Sequence, residues 1–278
     1  MKPVAFDYAR PRSLEHAVEL LKEGDGNAKL LAGGQTLGPM LNLRVVQPEL
    51  LIDISKLPDT TRWSEDGEGV TIGACVTHAM VEDGKVPDPT GGALRRIAAR
   101  IAYRAVRNRG TMGGSLAHAD PAADWLSSLS ALGAEAIILG TEGERRIPVA
   151  ELSTGIFETQ VGEADLLRGI RVRRLSPRAR WGYYKFCRKA GEFAEAIGAV
   201  LHDPERESFR LVLGATDGAP IVLDDEAAGV SAGAALPKRL DDAVLLQALT
   251  EHGLGDEPFK RRVHLVAAQR AYAEALAA

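Results

Sequence analysis

The sequence predicts an α+β protein built in three successive parts, residues 1–57, 58–176 and 177–278. Three observations carry this reading. Residues 1–57 run as helix, strand, glycine turn, helix and strand. The middle part places short β-rich runs on either side of a helical pattern, and one of them leads into a hairpin turn. From about Ser176 three strand patterns follow one another directly, and two helical patterns come after them.

Taken in order, Leu14, Ala17, Val18 and Leu21 recur at i, i+3, i+4 and i+7, with Ser13 placed to cap the start and Gly24 to stop the helix. Residues 29–32 read as a strand running into Gly33-Gly34-Gln35-Thr36. A short helix over about 37–43 and a second strand over 50–54 complete the first part. In the second part, strands are expected at 70–76 and 134–139, the latter turning through Gly140-Thr141-Glu142-Gly143 into 145–149. Between them a helix is expected over about 93–107. Leu94, Ile97, Ala98, Ile101, Ala102 and Ala105 form its apolar face, and Arg96, Arg100, Arg104 and Arg107 form a wet basic stripe opposite. Pro177 marks a boundary. Strands at 183–188, 194–201 and 209–215 suggest an antiparallel meander with its last turn at Asp203-Pro204-Glu205-Arg206. Helices follow near 241–250 and 258–276, the second burying Val263, Val266, Ala267 and Ala271.

Composition bounds the function. With 45% hydrophobic and 26% charged residues in 278, the chain is globular rather than disordered. It has no apolar run approaching the ~18 residues of a membrane helix, and its N-terminus shows no signal-peptide h-region, so a cytoplasmic protein is expected. Cys75 and Cys187 lie far apart with no CxxC partner. The chain by itself is therefore not expected to hold a cysteine-ligated iron–sulfur cluster, a structural zinc or a disulfide framework. A net charge of −4 argues against a general nucleic-acid binder. The charge is uneven, however. Six arginines and no acid lie between Arg95 and Arg109, and nine Lys/Arg and no acid between Arg168 and Lys189. These are either solvated faces or basic surfaces for a phosphate-bearing cofactor or an acidic partner.

No G-x-x-x-x-G-K-[ST], H-E-x-x-H, G-x-S-x-G or post-strand G-x-G-x-x-G pattern is present, and the six histidines do not pair at metal spacing. Two glycine segments stand out: Ala32-Gly33-Gly34-Gln35-Thr36-Leu37, and Thr111-Met112-Gly113-Gly114-Ser115-Leu116-Ala117-His118-Ala119-Asp120-Pro121-Ala122-Ala123-Asp124. Each sets paired glycines beside a hydroxyl residue. Glycine lets backbone N–H groups approach a pyrophosphate, and Thr36, Thr111 and Ser115 add hydroxyls. A Gly-Gly pair is also an ordinary turn. Asp124 suits a ribose hydroxyl or an adenine amino group, or a helix N-cap.

These two segments, together with Arg107-Asn108-Arg109-Gly110, the early Leu-Ile-Asp-Ile strand and the run from Tyr184 to Phe193, closely resemble the FAD-binding (medium) subunit of molybdenum hydroxylases of the carbon monoxide dehydrogenase and xanthine dehydrogenase type. The resemblance covers nearly the whole chain. It implies a two-subdomain FAD-binding domain (PCMH-type) over 1–57 and 58–176, and a C-terminal flavoprotein domain over 177–278 with a three-stranded antiparallel sheet and helices. By the same resemblance, Ala32, Gly33, Gly34, Gln35, Thr36 and Leu37, with Thr111, Gly113, Gly114 and Ser115, would hold the FAD pyrophosphate. Asp124 would hold the adenosine end, while Ile101 and Ala102 would approach the flavin from the apolar helix face. Leu167 and Lys185 match positions near the cofactor, and Phe193 matches an aromatic position near the isoalloxazine. Read from the residues alone, Leu167 and Phe193 are also ordinary core and Lys185 one more exposed charge.

The resemblance implies non-covalent FAD in this chain. Molybdopterin would sit in a large partner subunit and two [2Fe–2S] clusters in a small one, the whole forming a dimer of heterotrimers that is cytoplasmic or membrane-associated through the complex. Electrons would pass from the clusters through FAD to an external acceptor, so no catalytic residue is expected in this chain. Two other readings stay open: a self-contained flavin oxidoreductase resembling the cell-wall enolpyruvyl reductases, and a non-catalytic assembly subunit. The arginine stripe and the 168–189 cluster are the surfaces expected to dock an acidic iron–sulfur partner.

Overall fold

The computed structural model describes residues 1–277. Helix Leu14–Glu23 buries Leu14, Ala17, Val18 and Leu21, and the Ser13 hydroxyl accepts the His16 N–H as its cap. It packs on a parallel sheet whose strands lie in the order Asp7–Ala9, Leu50–Asp53, Ala28–Leu31. The first of these strands is too short and too exposed to show a periodicity, and the sequence reading lacks it.

The second unit is a five-stranded antiparallel sheet in the order Trp63–Asp66, Gly69–Gly73, Leu166–Arg173, Glu135–Gly140, Gly143–Pro148. Its central strand, Leu166–Arg173, overlaps the cationic run that begins at Arg168, with Leu167 the one residue of the strand also read as core. In the fold Leu166, Leu167, Ile170 and Val172 are buried, and Arg168 and Arg171 reach outward to Glu144 and Asp66.

The expected 93–107 helix is two short helices, Ala93–Ala99 and Arg104–Arg107, separated by a break at 100–103 where Ala102 takes φ +41°. The basic stripe is not a row of free charges, although Arg96, Arg100 and Arg104 stay exposed. Arg96 pairs with Glu274 and lies over the Trp181 ring, and Arg100 donates to the Tyr183 carbonyl at 3.1 Å. Arg104 pairs with Glu82 and Asp83. Arg107 grips Glu82 with two nitrogens and donates to the carbonyls of Ile101 and Ala102 at 2.9 and 3.1 Å. These cations stitch the break to its neighbours.

The C-terminal unit is an antiparallel sheet of Arg180–Phe186, Ala196–Asp203 and Ser208–Gly214, the three strands expected, extended by Ile221–Asp224. Helix Pro258–Ala277 lies across it. The buried stripe of that helix is His264, Ala267, Ala268, Ala271, Tyr272 and Ala275, rotated from the expected one, and Val266 faces outward. The rotation follows from glycines in the sheet. A Cβ on Gly182 would lie 1.9 Å from the Ala271 carbonyl oxygen, and one on Gly198 2.5 Å from that of Ala267. Backbone thus meets backbone, and small helix residues must face the sheet.

Helix Asp124–Ala131 ties the two larger units together. All eight of its residues are buried, and it packs on both Ala196–Asp203 and Ser208–Gly214 of the C-terminal sheet. Two of its three serines are satisfied locally, Ser128 donating to Asp124 O at 2.7 Å and Ser130 to Leu126 O at 2.6 Å, while the buried Ser127 hydroxyl has no partner among the described residues. Among the described residues no helix is long and apolar enough to cross a membrane.

Gly182→Ala and Gly198→Ala are expected to destabilise the protein by about 1–3 kcal/mol each by forcing the helix off the sheet. Gly38→Ala, whose Cβ would meet nothing within 4 Å, should be neutral or slightly stabilising. Urea midpoints of the three variants check this.

Candidate functional site

All sixteen residues singled out in the sequence line one cleft of about 530 Å³, between the parallel-sheet unit, the five-stranded unit and the edge of the C-terminal sheet. The two glycine segments lie side by side because Gly33 has no side chain: a Cβ there would stand 2.0 Å from Arg109 O and 3.0 Å from the Gly110 Cα. Gly34 takes φ +70°, the left-handed turn that carries the chain into helix Leu37–Asn42.

The segments differ in what they offer. Gly33, Gly34, Gln35 and Thr36 have N–H groups with no protein acceptor among the described residues. In the second segment the amides are already used. Met112 donates to Val76 O, Gly113 to Ala74 O, Gly114 to the capping Thr111 Oγ1 at 3.0 Å, and Ser115 to Thr111 O. Gly113 is also packed hard, since a Cβ there would lie 2.4 Å from the Ala74 Cβ. The second segment therefore contributes a smooth wall at Gly114 and the Ser115 hydroxyl, and the backbone donors come from the first. That division is invisible in the sequence, where the two Gly pairs look alike.

Asp124 is not an N-cap. It opens its helix without a side-chain cap bond, and its carboxylate turns sideways, accepting from Tyr183 Oη at 2.6 Å and Lys185 Nζ at 3.0 Å. Lys185 Nζ also donates to Arg100 O at 3.1 Å. Both charged side chains are buried, so Lys185 is no exposed charge. Burial pushes the Asp124 carboxyl above its usual value against the pull of Lys185 and of the Tyr183 and Lys185 hydrogen bonds, and burial also raises the Tyr183 hydroxyl. Because Asp124 and Lys185 are in contact, they share one part of the cleft wall.

Ile101 and Ala102 line the cleft from the break between two helices, not from a continuous apolar face. Leu167 is both strand core and lining, at 5% exposure. Phe193 is 70% exposed at the rim, on the turn between strands Arg180–Phe186 and Ala196–Asp203, and so is not core. That turn is pinned at its base by Arg188–Glu195 (2.5 Å) and rests on Tyr103, whose ring would lie 2.6 Å from a Cβ at Gly191.

Several lining residues escaped the sequence reading. Phe157, at φ +59°, stacks on His118 with ring centroids 4.8 Å apart. Bulky residues rarely hold that backbone conformation. With Ala102 and Ala119 it makes three strained non-glycine positions in or beside one cleft, the pattern expected where geometry is held for function. Lys29 and His78 also line the cleft. His78 is 5% exposed; its Nδ1 accepts the Trp125 indole N–H at 3.0 Å. Burial, reinforced by Arg107, pushes its pKa down to about 4. The only sequence signal for it was its place two residues after a β-rich run.

Residues 4–174 match the family model described as the FAD binding domain in molybdopterin dehydrogenase. The carbon monoxide dehydrogenase medium chain of Afipia carboxidovorans is 34% identical over 289 aligned positions, covering 100% of this chain and 99% of that one. The 6-hydroxypseudooxynicotine dehydrogenase complex subunit alpha of Paenarthrobacter nicotinovorans is 39% identical over 194 residues, 70% of this chain and 66% of that relative. Among solved structures, a carbon monoxide dehydrogenase from Hydrogenophaga pseudoflava superposes with TM-score 0.86 at 30% identity, over 100% of this chain and 99% of the other.

The buried neutral His78 fixes a pH dependence. The folded state binds its proton only near pH 4, whereas the unfolded chain binds it near 6.5. This group's contribution is therefore complete above pH 6.5 and is lost as pH falls toward 4, roughly 2 kcal/mol of it between pH 7 and 5. His78→Gln should flatten that part of the stability–pH curve, as measured by urea unfolding at the two pH values.

Proposed function

Because the chain belongs to the family of FAD-binding domains of molybdopterin dehydrogenases, we propose that the cleft is its FAD site and that the chain is the electron-transferring medium subunit of a heterotrimeric molybdenum hydroxylase. Its partners in this reading are a molybdopterin-binding large subunit and a small subunit with [2Fe–2S] clusters, paired as a dimer of heterotrimers. The single observation that carries the site is the row of unpartnered amides at Gly33–Thr36, facing a cleft of dinucleotide size.

The residues present suit the cofactor. The Gly33, Gly34, Gln35 and Thr36 amides receive the pyrophosphate without a buried cation, and the Ser115 hydroxyl adds a donor. Gly114 keeps the facing wall flat. Ile101, Ala102 and Leu167 supply apolar surface for a ring system, and Lys185, held by Asp124 and Arg100 O, sets one ammonium at a fixed position. Bound flavin supplies the one- and two-electron chemistry that links clusters to an acceptor. The chain's own part is to bind, orient and shield it, so no protein acid–base pair is invoked. Electrons enter from another subunit, since Cys75 is buried and Cys187 stands alone.

The purified chain should show a flavin spectrum, and acid precipitation should release FAD into the supernatant. Gly114→Val brings a Cβ within 2.7 Å of Thr111 Oγ1 and a branched side chain into the cleft, so FAD affinity should fall about tenfold or more. Wild-type flavin occupancy in that variant would remove the cleft from the reading. Co-purification with an iron–sulfur subunit and a molybdopterin subunit tests the assembly.

A further inference from the structure

One buried polar group on the cleft has neither a partner nor a role in the reading above: the Nε2–H of His78. Its protonation state follows from geometry. The Trp125 indole can only donate, so its 3.0 Å hydrogen bond to His78 Nδ1 requires that nitrogen to be bare, and in the neutral ring the proton must sit on Nε2. Trp125 is fully buried in the central helix and cannot turn away.

The ring's place is equally fixed. The His78 backbone N–H donates to Gly110 O at 2.9 Å, and the preceding Thr77 bridges Thr111. The Nε2–Cδ2 edge faces Gly110, where a Cβ would lie 2.9 Å from Nε2. Gly110 is the same residue whose Cα lies 3.0 Å from a Cβ built on Gly33. The His78 edge thus abuts the backbone crossing that carries the unpartnered Gly33–Thr36 amides. Nε2 finds no acceptor among the described residues, yet it is not among the sealed unpartnered polar atoms; it opens on the cleft that His78 lines.

We propose that His78 is a ligand-binding residue of this cleft: a neutral donor of fixed tautomer that hydrogen-bonds an acceptor oxygen of the bound dinucleotide, with Trp125 as the positioning residue that keeps the proton on Nε2. The inference rests on the FAD reading. The acceptor is either a pyrophosphate oxygen, which the neighbouring amides favour, or an oxygen of the flavin half. A neutral donor suits the position because a buried cation would carry a large desolvation cost. The depressed pKa keeps the ring neutral through the ordinary pH range.

The test uses the full chain, stripped of flavin and titrated with FAD, FMN and ADP. In wild type with 15N-labelled histidine, His78 should show a protonated Nε2 and a bare Nδ1, and FAD should shift the Nε2 resonance. Trp125→Phe should let the proton distribute over both nitrogens. His78→Phe should weaken FAD about tenfold, and His78→Gln, which keeps an N–H donor, should restore part of the loss. Parallel weakening of ADP identifies the pyrophosphate as acceptor, whereas weakening of FMN with ADP unchanged identifies the flavin half. An Nε2 resonance unmoved by bound FAD overturns the inference even if His78→Phe fails to fold. So does undiminished FAD affinity in a folded His78→Phe. Wild type that binds no FAD overturns the FAD reading itself.

Discussion

The burial of helix Asp124–Ala131 on every side is the constraint on which the rest of this structure depends. A helix enclosed on every side must find protein partners for its polar groups, and its Ser127 hydroxyl alone finds none among the described residues. Ser128 and Ser130 find theirs by returning their hydroxyls to carbonyls one turn back. Asp124 has no such local outlet and takes Tyr183 and Lys185 from the C-terminal sheet, while Trp125 takes His78 from the five-stranded unit. Two successive residues of one helix therefore reach into the two units that flank it, and the cleft lies where those units meet the parallel sheet.

Much of this was legible in the sequence because it rests on local patterns. The Leu14–Glu23 helix has a cap and an unbroken i, i+3, i+4, i+7 face. The C-terminal meander has alternating strands and a Pro-containing turn. The glycine segments could be recognised because their chemistry requires small residues in an ordered run. The cleft residues from Ala32 to Phe193 come together although they span all three parts of the chain.

What escaped the sequence was decided by tertiary contact. Residues 93–107 are rich in Ala and Arg, good helix formers, and nothing local announces the break. It is held by Arg107, whose guanidinium takes the carbonyls of Ile101 and Ala102 that helix continuation would have used. The ion pairs of the arginine stripe were hidden because its carboxylate partners, Glu82, Asp83 and Glu274, lie elsewhere in the chain. Strand Leu166–Arg173 looked like a charge cluster for the same reason. The inequality of the two glycine pairs lies in which amides the surrounding backbone has already claimed, a property no residue type encodes.

The bond from Lys185 to the Arg100 carbonyl has a mechanical consequence. Lys185 belongs to the edge strand of the C-terminal sheet, and Arg100 opens the break that forms part of the cleft wall. Arg100 returns the tie through its own guanidinium to the Tyr183 carbonyl. The two segments are thus cross-braced, each holding a carbonyl of the other. A shift of that sheet edge is therefore coupled, through two hydrogen bonds, to the segment that carries Ile101 and Ala102.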